Sequence, residues 1–156
     1  MNIYVSYFYN IRFFPETLLP VSTAAWDPKW FHNFSKSNVV FRDKRNVVNG
    51  VRMNEFAPVS LYDPENDCPQ KGTPCKQTPD SCSFLKKYNN HLDTLDFTQI
   101  IDKLKELNTQ YNTQDVCLIV YEKPDNPCSE RTGLVRWFKE HNIELVEWTK
   151  PSKELI

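Results

Sequence analysis

The stretch between residues 115 and 148 constrains the fold more than any other part of this 156-residue chain. It opens with "DVCLIVYEK", a nearly continuous apolar run that is typical of a strand buried on both faces of a parallel sheet. After a turn rich in Pro, Asp and Asn, "SERTGLVRWFKEHN" (129–142) has apolar residues at helical spacing behind Ser129, a good N-cap. "IELVEW" (143–148) then alternates as a strand does. Strand, helix and returning strand predict an α/β fold with a small, mostly parallel sheet flanked by helices.

The rest of the chain adds strands and helices that suit such a fold. Aromatic and β-branched residues predict a first strand over 3–9, and a second short strand is expected near 21–24. Helices are predicted over 82–92 and 96–111, and Asp96 is placed to cap the second of them.

The segment between these strands and helices is predicted to be an insertion. Asn49-Gly50 lies between two alternating apolar and polar stretches, which indicates a hairpin turn. A long cysteine-containing loop without periodicity follows at 63–82. We therefore expect a single α/β domain over 1–156, with an inserted hairpin and loop at about 41–82.

The charge balance and the glycine content exclude several classes of function. The formal net charge is −1, so nucleic-acid binding through bulk electrostatics is not supported, and any such contact would need a local basic patch. Only three glycines are present, and no Gly-rich phosphate loop occurs. These features argue against a P-loop NTPase and against a standard dinucleotide-binding fold.

The N-terminal sequence and the cysteine count predict the compartment. "MNIYVSYFYNIRFF" has none of the regions of a signal peptide, and no apolar run approaches the roughly 18–20 residues of a membrane span. We expect a soluble, cytoplasmic protein that does not contact a membrane. The five cysteines are then expected to be reduced thiols or metal ligands, with which their odd number agrees.

A ligand site is predicted where the apolar strand gives way to the helix. Arg12 follows the first strand and Glu122 ends the central one, and the carboxyl ends of parallel strands meet at one crevice. Arg12, Arg131 and the free N–H groups of the helix start would bind an anion such as a phosphate, a nucleotide or a carboxylate. Cys128, beside these positive groups, would be a thiolate nucleophile. The alternative is a structural Arg12–Glu122 salt bridge with Cys128 as a small buried residue.

A second candidate site is a zinc site in the long loop. Cys68, Cys75 and Cys82 recur every seven residues, and His91 or Cys117 could complete the four ligands that zinc prefers. The alternative interpretation is a set of incidental thiols in a solvated loop. The spacing is not the usual C-x2-C, so zinc remains one of two hypotheses.

Aromatic residues are dense near the N-terminus and allow two interpretations. Such residues usually form core and sheet faces. Where they are exposed, they can stack against bases. The residues concerned are Tyr4, Tyr7, Phe8, Tyr9, Phe13, Phe14, Trp26, Trp30 and Phe31.

Three of these stretches resemble a known family. "NIRFFP" (10–15), "LIVYEKPDNPCSERTGLVRWF" (118–138) and "IELVEW" are similar to motifs of domain-of-unknown-function family 488. Two further segments, "LLPVSTAAWDPKWF" and "APVSLY", resemble the branch of this family found in phages and small bacterial proteins. The resemblance implies a fold and a site rather than a reaction. Its matching positions are Arg12, Pro15, Glu122, Cys128 and Arg131. Asn10 stands where the family has Asp, and the histidine of the late motif is missing.

Two functions from different classes follow from these patterns. The first is an α/β domain, with or without enzymatic activity, that binds an anionic nucleotide or phosphate-bearing ligand at the carboxyl edge of the sheet. The second is a small phage-type protein that binds and inhibits a host protein, with Trp26 and Trp30 in the interface.

Overall fold

The computed structural model describes residues 1–33, 48–61, 63, 82–125 and 128–151. Within them, the strands are β1 (Ile3–Tyr7), β2 (Leu18–Ser22), β3 (Phe31–Asn33), β4 (Val48–Arg52), β5 (Asp115–Val120) and β6 (Val146–Glu147). The helices are α1 (Ser83–Asp93), α2 (Phe97–Tyr111) and α3 (Glu130–Glu140), with short 3-10 helices at Phe8–Phe13 and Asn54–Phe56. The strands form one sheet in the order β3-β4-β2-β5-β1-β6, and all of the observed pairs are parallel. The predicted α/β fold is confirmed.

β5 lies in the middle of the sheet, between β1 and β2. Val116 pairs with Ile3 on one side and with Leu19 on the other. Its side chains alternate between two hydrophobic clusters, with Val116 and Leu118 on one face and Cys117 and Ile119 on the other. This double burial explains why the run is apolar at nearly every position.

One face of the sheet, which we call the helix face, is covered by α1, α2 and α3. Leu85 and Tyr88 from α1, Leu104 from α2, and Leu134 and Trp137 from α3 are almost completely buried there. A Cβ on Gly133 would lie 2.8 Å from the Tyr88 ring, so glycine allows α1 and α3 to approach closely. Asp96 caps α2 as predicted, because its carboxylate accepts a hydrogen bond from the Gln99 amide at 3.1 Å.

The opposite face, which we call the loop face, is covered by the first 3-10 helix and the segment around Trp30. Phe8, Ile11 and Phe14 pack there against Cys117 and Ile119 of β5. Among the described residues, this cover is thinner than that on the helix face, because it contains a six-residue 3-10 helix where the helix face has three α-helices. Among the described residues, no helix is long and apolar enough to cross a membrane.

Three predicted details differ from the structure: the hairpin, the end of the first strand, and the bounds of the second strand, which spans Leu18–Ser22 instead of 21–24. Asn49-Gly50 does not form a hairpin turn, since both residues lie within β4, which runs parallel to β2 and β3. Gly50 is needed for close packing instead, because a Cβ there would lie 2.5 Å from the Phe31 ring. The first strand ends at Tyr7, where the 3-10 helix begins. Most of the predicted loop at 63–82 lies outside the described residues.

Candidate functional site

The order of the strands directs attention to the carboxyl ends of β2 and β5. The chain leaves β2 towards β3 at one edge of the sheet and leaves β5 towards β6 at the other edge. Open α/β sheets bind ligands where neighbouring strands diverge in this way. The residues that follow these two strands, together with the end of β1, therefore form the candidate site.

On the loop face, this edge of the sheet holds a cleft of about 480 Å³, which we call the aromatic cleft. Its apolar lining consists of Tyr7, Phe8, Tyr9, Pro28, Trp30 and Tyr121, and two cations, Arg12 and Lys123, complete it. Phe8 is at the centre of the ring contacts, with its centroid 4.7 Å from Tyr121 and 6.0 Å from Trp30. The sequence creates this cleft because β1 ends in a run of aromatic residues that turns directly into the 3-10 helix.

The two cations of the cleft are exposed, and Arg12 is held in place by Tyr9. The Arg12 guanidinium lies 4.1 Å from the centroid of the Tyr9 ring, and its Nε donates to the Tyr9 carbonyl at 2.9 Å. In the part of the chain that the structure describes, neither Arg12 nor Lys123 forms an ion pair with a carboxylate. Their charge is therefore available to a ligand.

The wall of the cleft that contains Pro28 and Trp30 is fixed by an ion pair at the end of β4. Arg52 lies 3.2 Å from the Asp27 carboxylate and donates to the Ala25 carbonyl at 2.6 Å. The Ser22 hydroxyl also donates to Asp27. These bonds tie the segment after β2 to the end of β4.

Behind the cleft, on the helix face, the same edge holds a buried polar group that we call the acid cluster: Glu122, Glu130 and Thr23. Glu130 is 4% exposed and Glu122 is 9% exposed. Glu130 belongs to the first turn of α3, and Glu122 follows β5. Glu122 Oε2 is buried without a hydrogen-bond partner in the described structure.

The Thr23 hydroxyl lies between two oxygen acceptors. Its Oγ1 is 2.9 Å from the Ile119 carbonyl oxygen and 3.2 Å from Glu130 Oε2. The Thr23 hydroxyl has one proton that it can donate to either oxygen, and its hydrogen bond to Glu130 lowers the pKa of that carboxyl.

Burial and the surrounding charges together favour the neutral form of Glu130. Burial raises the pKa of Glu130 well above its ordinary value, and the nearby charge of Glu122 raises it further, against smaller opposing effects of Thr23 and Arg52. Burial also raises the pKa of Glu122, although its own backbone N–H and Arg131 oppose the shift. The pKa of Tyr121 is raised by burial and then by Asp27, so its phenol keeps its proton at neutral pH.

Arg131 lies on the helix face and already has partners. It is 6% exposed, and its Nε lies 2.6 Å from Glu147 Oε1. The N–H there is not aligned for a hydrogen bond, so the contact is an ion pair. Its Nη1 donates to the Glu122 carbonyl at 2.6 Å. Glu147 pairs in register with Val5, whose side chain belongs to the cluster on the helix face.

The structure therefore divides the four residues that the sequence assigns to one crevice. Arg12 lines the aromatic cleft on the loop face, whereas Arg131 and Glu122 meet on the helix face. Cys128 is 6% exposed within the hydrophobic core and does not line the cleft. The alternative Arg12–Glu122 salt bridge is not formed either. The proposed roles of Arg131 in anion binding and of Cys128 in catalysis stay predictions.

The predicted zinc site can be followed only in part. Cys68 and Cys75 lie outside the described residues. Cys82 is a buried free thiol in the core, and His91 Nε2 is 2.7 Å from the Glu55 carbonyl oxygen, to which it donates. That nitrogen is therefore engaged in a hydrogen bond. No group of three or more His, Cys, Asp or Glu side chains suited to a metal is found within the described ranges, and zinc stays a prediction.

Sequence reasoning missed Lys123, Tyr121 and Thr23. Each of them directly follows a strand or lies within three residues of its end. In a parallel sheet these are the positions that border the ligand crevice, so the strand ends alone could have identified them.

Comparison with protein-family models, with curated proteins and with solved structures finds no match to this chain. The resemblance to domain-of-unknown-function family 488 stays a prediction.

Proposed function

We propose that the aromatic cleft binds an anionic small molecule with a flat ring, and that a nucleotide is the ligand class it fits best. The observation that carries the proposal is a cleft of aromatic rings with two exposed cations that lack carboxylate partners among the described residues. The cleft lies at the carboxyl ends of β1 and β5, the edge at which open α/β sheets bind ligands.

The chemistry of the lining suits the two parts of a nucleotide. Any base can stack on an aromatic ring, whatever polar groups it has, and such a contact contributes roughly 1–3 kcal/mol. A phosphate takes charge-assisted hydrogen bonds from Arg12 and an ionic contact from Lys123. The bond of Arg12 to the Tyr9 carbonyl restricts the guanidinium before the ligand arrives, which lowers the entropy lost on binding.

The acid cluster supports anion binding indirectly. Two ionised carboxylates close behind the cleft would repel a phosphate. Burial raises the pKa of Glu130 well above its ordinary value, which favours the neutral form of one of these carboxyls and so reduces the negative charge behind the cleft. The proposal concerns binding and assigns no reaction.

Calorimetric titration with AMP, adenosine and inorganic phosphate tests the proposal. AMP should bind more tightly than either part alone, and Arg12→Ala and Lys123→Ala should each weaken AMP binding. Lys105→Ala is the matched control, because Lys105 is an exposed lysine on α2, which packs on the other face of the sheet. Absence of AMP binding at millimolar concentration, or equal effects of the Arg12 and Lys105 variants, would refute the proposal.

Binding to a host protein is a second candidate function, favoured by one observation. Trp26 is 73% exposed in the segment after β2, and Trp is enriched at the energetic centres of interfaces. Trp26 does not line the cleft. Trp26→Ala should therefore abolish capture of a protein partner while AMP binding is unchanged. Equal capture of a partner by the wild type and by the Trp26→Ala variant would count against this function.

A further inference from the structure

Aromatic and cationic side chains continue beyond the cleft, along the outer side of the first 3-10 helix. Tyr9 is 53% exposed, and its ring contacts both Tyr7, at 6.3 Å between centroids, and Phe13, at 6.0 Å. Lys150 Nζ lies 4.2 Å from the centroid of the Phe13 ring. Tyr9, Arg12, Phe13 and Lys150 thus form a continuous surface, which we call the cation–aromatic ridge.

We propose that the aromatic cleft and the cation–aromatic ridge together bind single-stranded nucleic acid, with one nucleotide in the cleft and its neighbours along the ridge. This inference rests on the proposed function, because it takes the cleft as the site of a nucleotide. It extends that function from a free nucleotide to a strand.

The charges of this surface fit a polyanion better than they fit a folded protein partner. Arg12, Lys123 and Lys150 are all exposed, and none is paired with a carboxylate in the portion of the chain that the structure describes. The formal net charge of the whole chain is −1, so these three cations form a local patch of the kind that a neutral chain needs in order to bind a strand. A phosphate backbone supplies negative charge at regular intervals along such a patch.

The rings of the ridge explain why a single strand is expected instead of a duplex. Ring stacking requires bases that are free of a partner, and single-strand binders combine stacking rings with a cationic track for the backbone. Tyr7, Tyr9 and Phe13 follow one another at steps of about 6 Å. Stacking on rings does not depend on the base, so we expect little sequence preference.

Fluorescence anisotropy with labelled single-stranded hexanucleotides of dA and of dT, compared with the matching mononucleotides, tests the inference. The hexanucleotides should bind at least tenfold more tightly than the mononucleotides, and with similar affinity to each other. A duplex of the same strands should bind more weakly than either. In a salt titration, the logarithm of the binding constant should fall with a slope of about −2 for three phosphate contacts on a single strand.

Lys150→Ala separates this inference from the proposed function, because Lys150 lies outside the cleft. It should weaken hexanucleotide binding severalfold, reduce the salt slope by about 0.7, and leave mononucleotide binding unchanged. Arg12→Ala should weaken the binding of both ligands, and Lys105→Ala should change the binding of neither. Both lysines are exposed, so neither substitution should prevent folding.

The outcomes are distinct. If mononucleotides bind and hexanucleotides bind no more tightly, the ridge is not a nucleic-acid surface and the proposed function stands. If hexanucleotides bind but the Lys150 variant binds them equally well, or the duplex binds as tightly as the strand, the inference is overturned. If neither mononucleotide nor hexanucleotide binds, the proposed function fails together with it.

Discussion

The aromatic cleft and the acid cluster lie at the same edge of the sheet, and consecutive residues of one segment take part in them. Tyr121 lines the cleft on the loop face, whereas Glu122 enters the cluster on the helix face. The difference between them comes from what covers each face. α3 begins directly over Glu122 and excludes water, while the short 3-10 helix leaves Arg12 and Tyr9 exposed.

Because the two faces are covered differently, charged side chains are buried on the helix face and solvated on the loop face. On the helix face, burial makes ionisation costly, so the pKa of Glu130 is raised and Arg131 is paired with Glu147. On the loop face, Arg12 is solvated and has no carboxylate to neutralise it among the described residues. The buried Arg131 therefore stabilises the fold, whereas the exposed Arg12 is available to a ligand.

The largest expected effect is on stability, and it contrasts the two arginines. Arg131→Ala should lower the free energy of unfolding by about 3 kcal/mol, because it leaves Glu147 and the Glu122 carbonyl without their buried partner. Arg12→Ala should change it by less than about 0.5 kcal/mol, as for an ordinary surface substitution. Urea denaturation of both variants measures this contrast, and equal losses would contradict it.

The second effect is on ligand affinity, for which we expect the substitution of Arg12 to matter more than that of Arg131. Arg12→Ala should weaken AMP binding about tenfold or more, since a charge-assisted hydrogen bond contributes about 1.5–3 kcal/mol. Arg12→Lys should recover only part of the loss, because an ammonium lacks the planar fork of the guanidinium. Calorimetric titration provides the measurement. Undiminished affinity in Arg12→Ala would mean that the cleft does not hold the phosphate.

The third effect concerns pH and the protonated carboxyl of the acid cluster. The pKa of Glu130 in the folded state is raised above its ordinary value of 4.5, so the folded chain holds this proton more tightly than the unfolded chain does. The resulting stability is fully present below pH 4.5 and is lost as the pH rises towards the raised pKa. Glu130→Gln resembles the neutral carboxyl and should remove this loss.

As the pH rises from 5 to 8, the free energy of unfolding of the wild type should therefore fall more steeply than that of Glu130→Gln. Chemical denaturation at several pH values measures the two slopes. The raised pKa of Glu147 is common to both proteins and cancels in the comparison, whereas Glu122 interacts with Glu130, so the two slopes differ by the titration of that pair. Parallel slopes would show that Glu130 is ionised in the folded state.

The smallest effect is expected at Tyr121, which borders both regions. Tyr121→Phe keeps the ring of the cleft wall and removes the phenol, so AMP affinity should fall by about threefold, as for one neutral hydrogen bond. Tyr111→Phe is the control, because Tyr111 ends α2 on the other face of the sheet. A change of less than twofold in Tyr121→Phe would place the ligand away from the phenol.

Local sequence patterns were enough to predict the regular elements that lead to this edge. The apolar run of β5, the spacing in α2 and α3, and the Asp96 cap depend on residues that are neighbours in the chain. Such patterns express backbone geometry and amphipathic burial, which act over a few residues. The hairpin prediction failed because Asn49-Gly50 resembles a turn locally, while its glycine serves the distant Phe31 ring.

What the sequence by itself determined, then, is a parallel α/β sheet with polar residues at the carboxyl ends of its strands. Only the tertiary structure decided which of these residues share a face. Thr23 meets Glu130 across 107 positions of the chain, and Arg131 meets Glu147 because β6 returns beside β1. Adjacent residues at a strand end point to opposite faces of the sheet. Tyr121 and Glu122 are therefore neighbours in the sequence but lie on opposite sides of the sheet. Arg12 remains available to a ligand because the chain places it on the face that is covered by none of the three α-helices of the described residues.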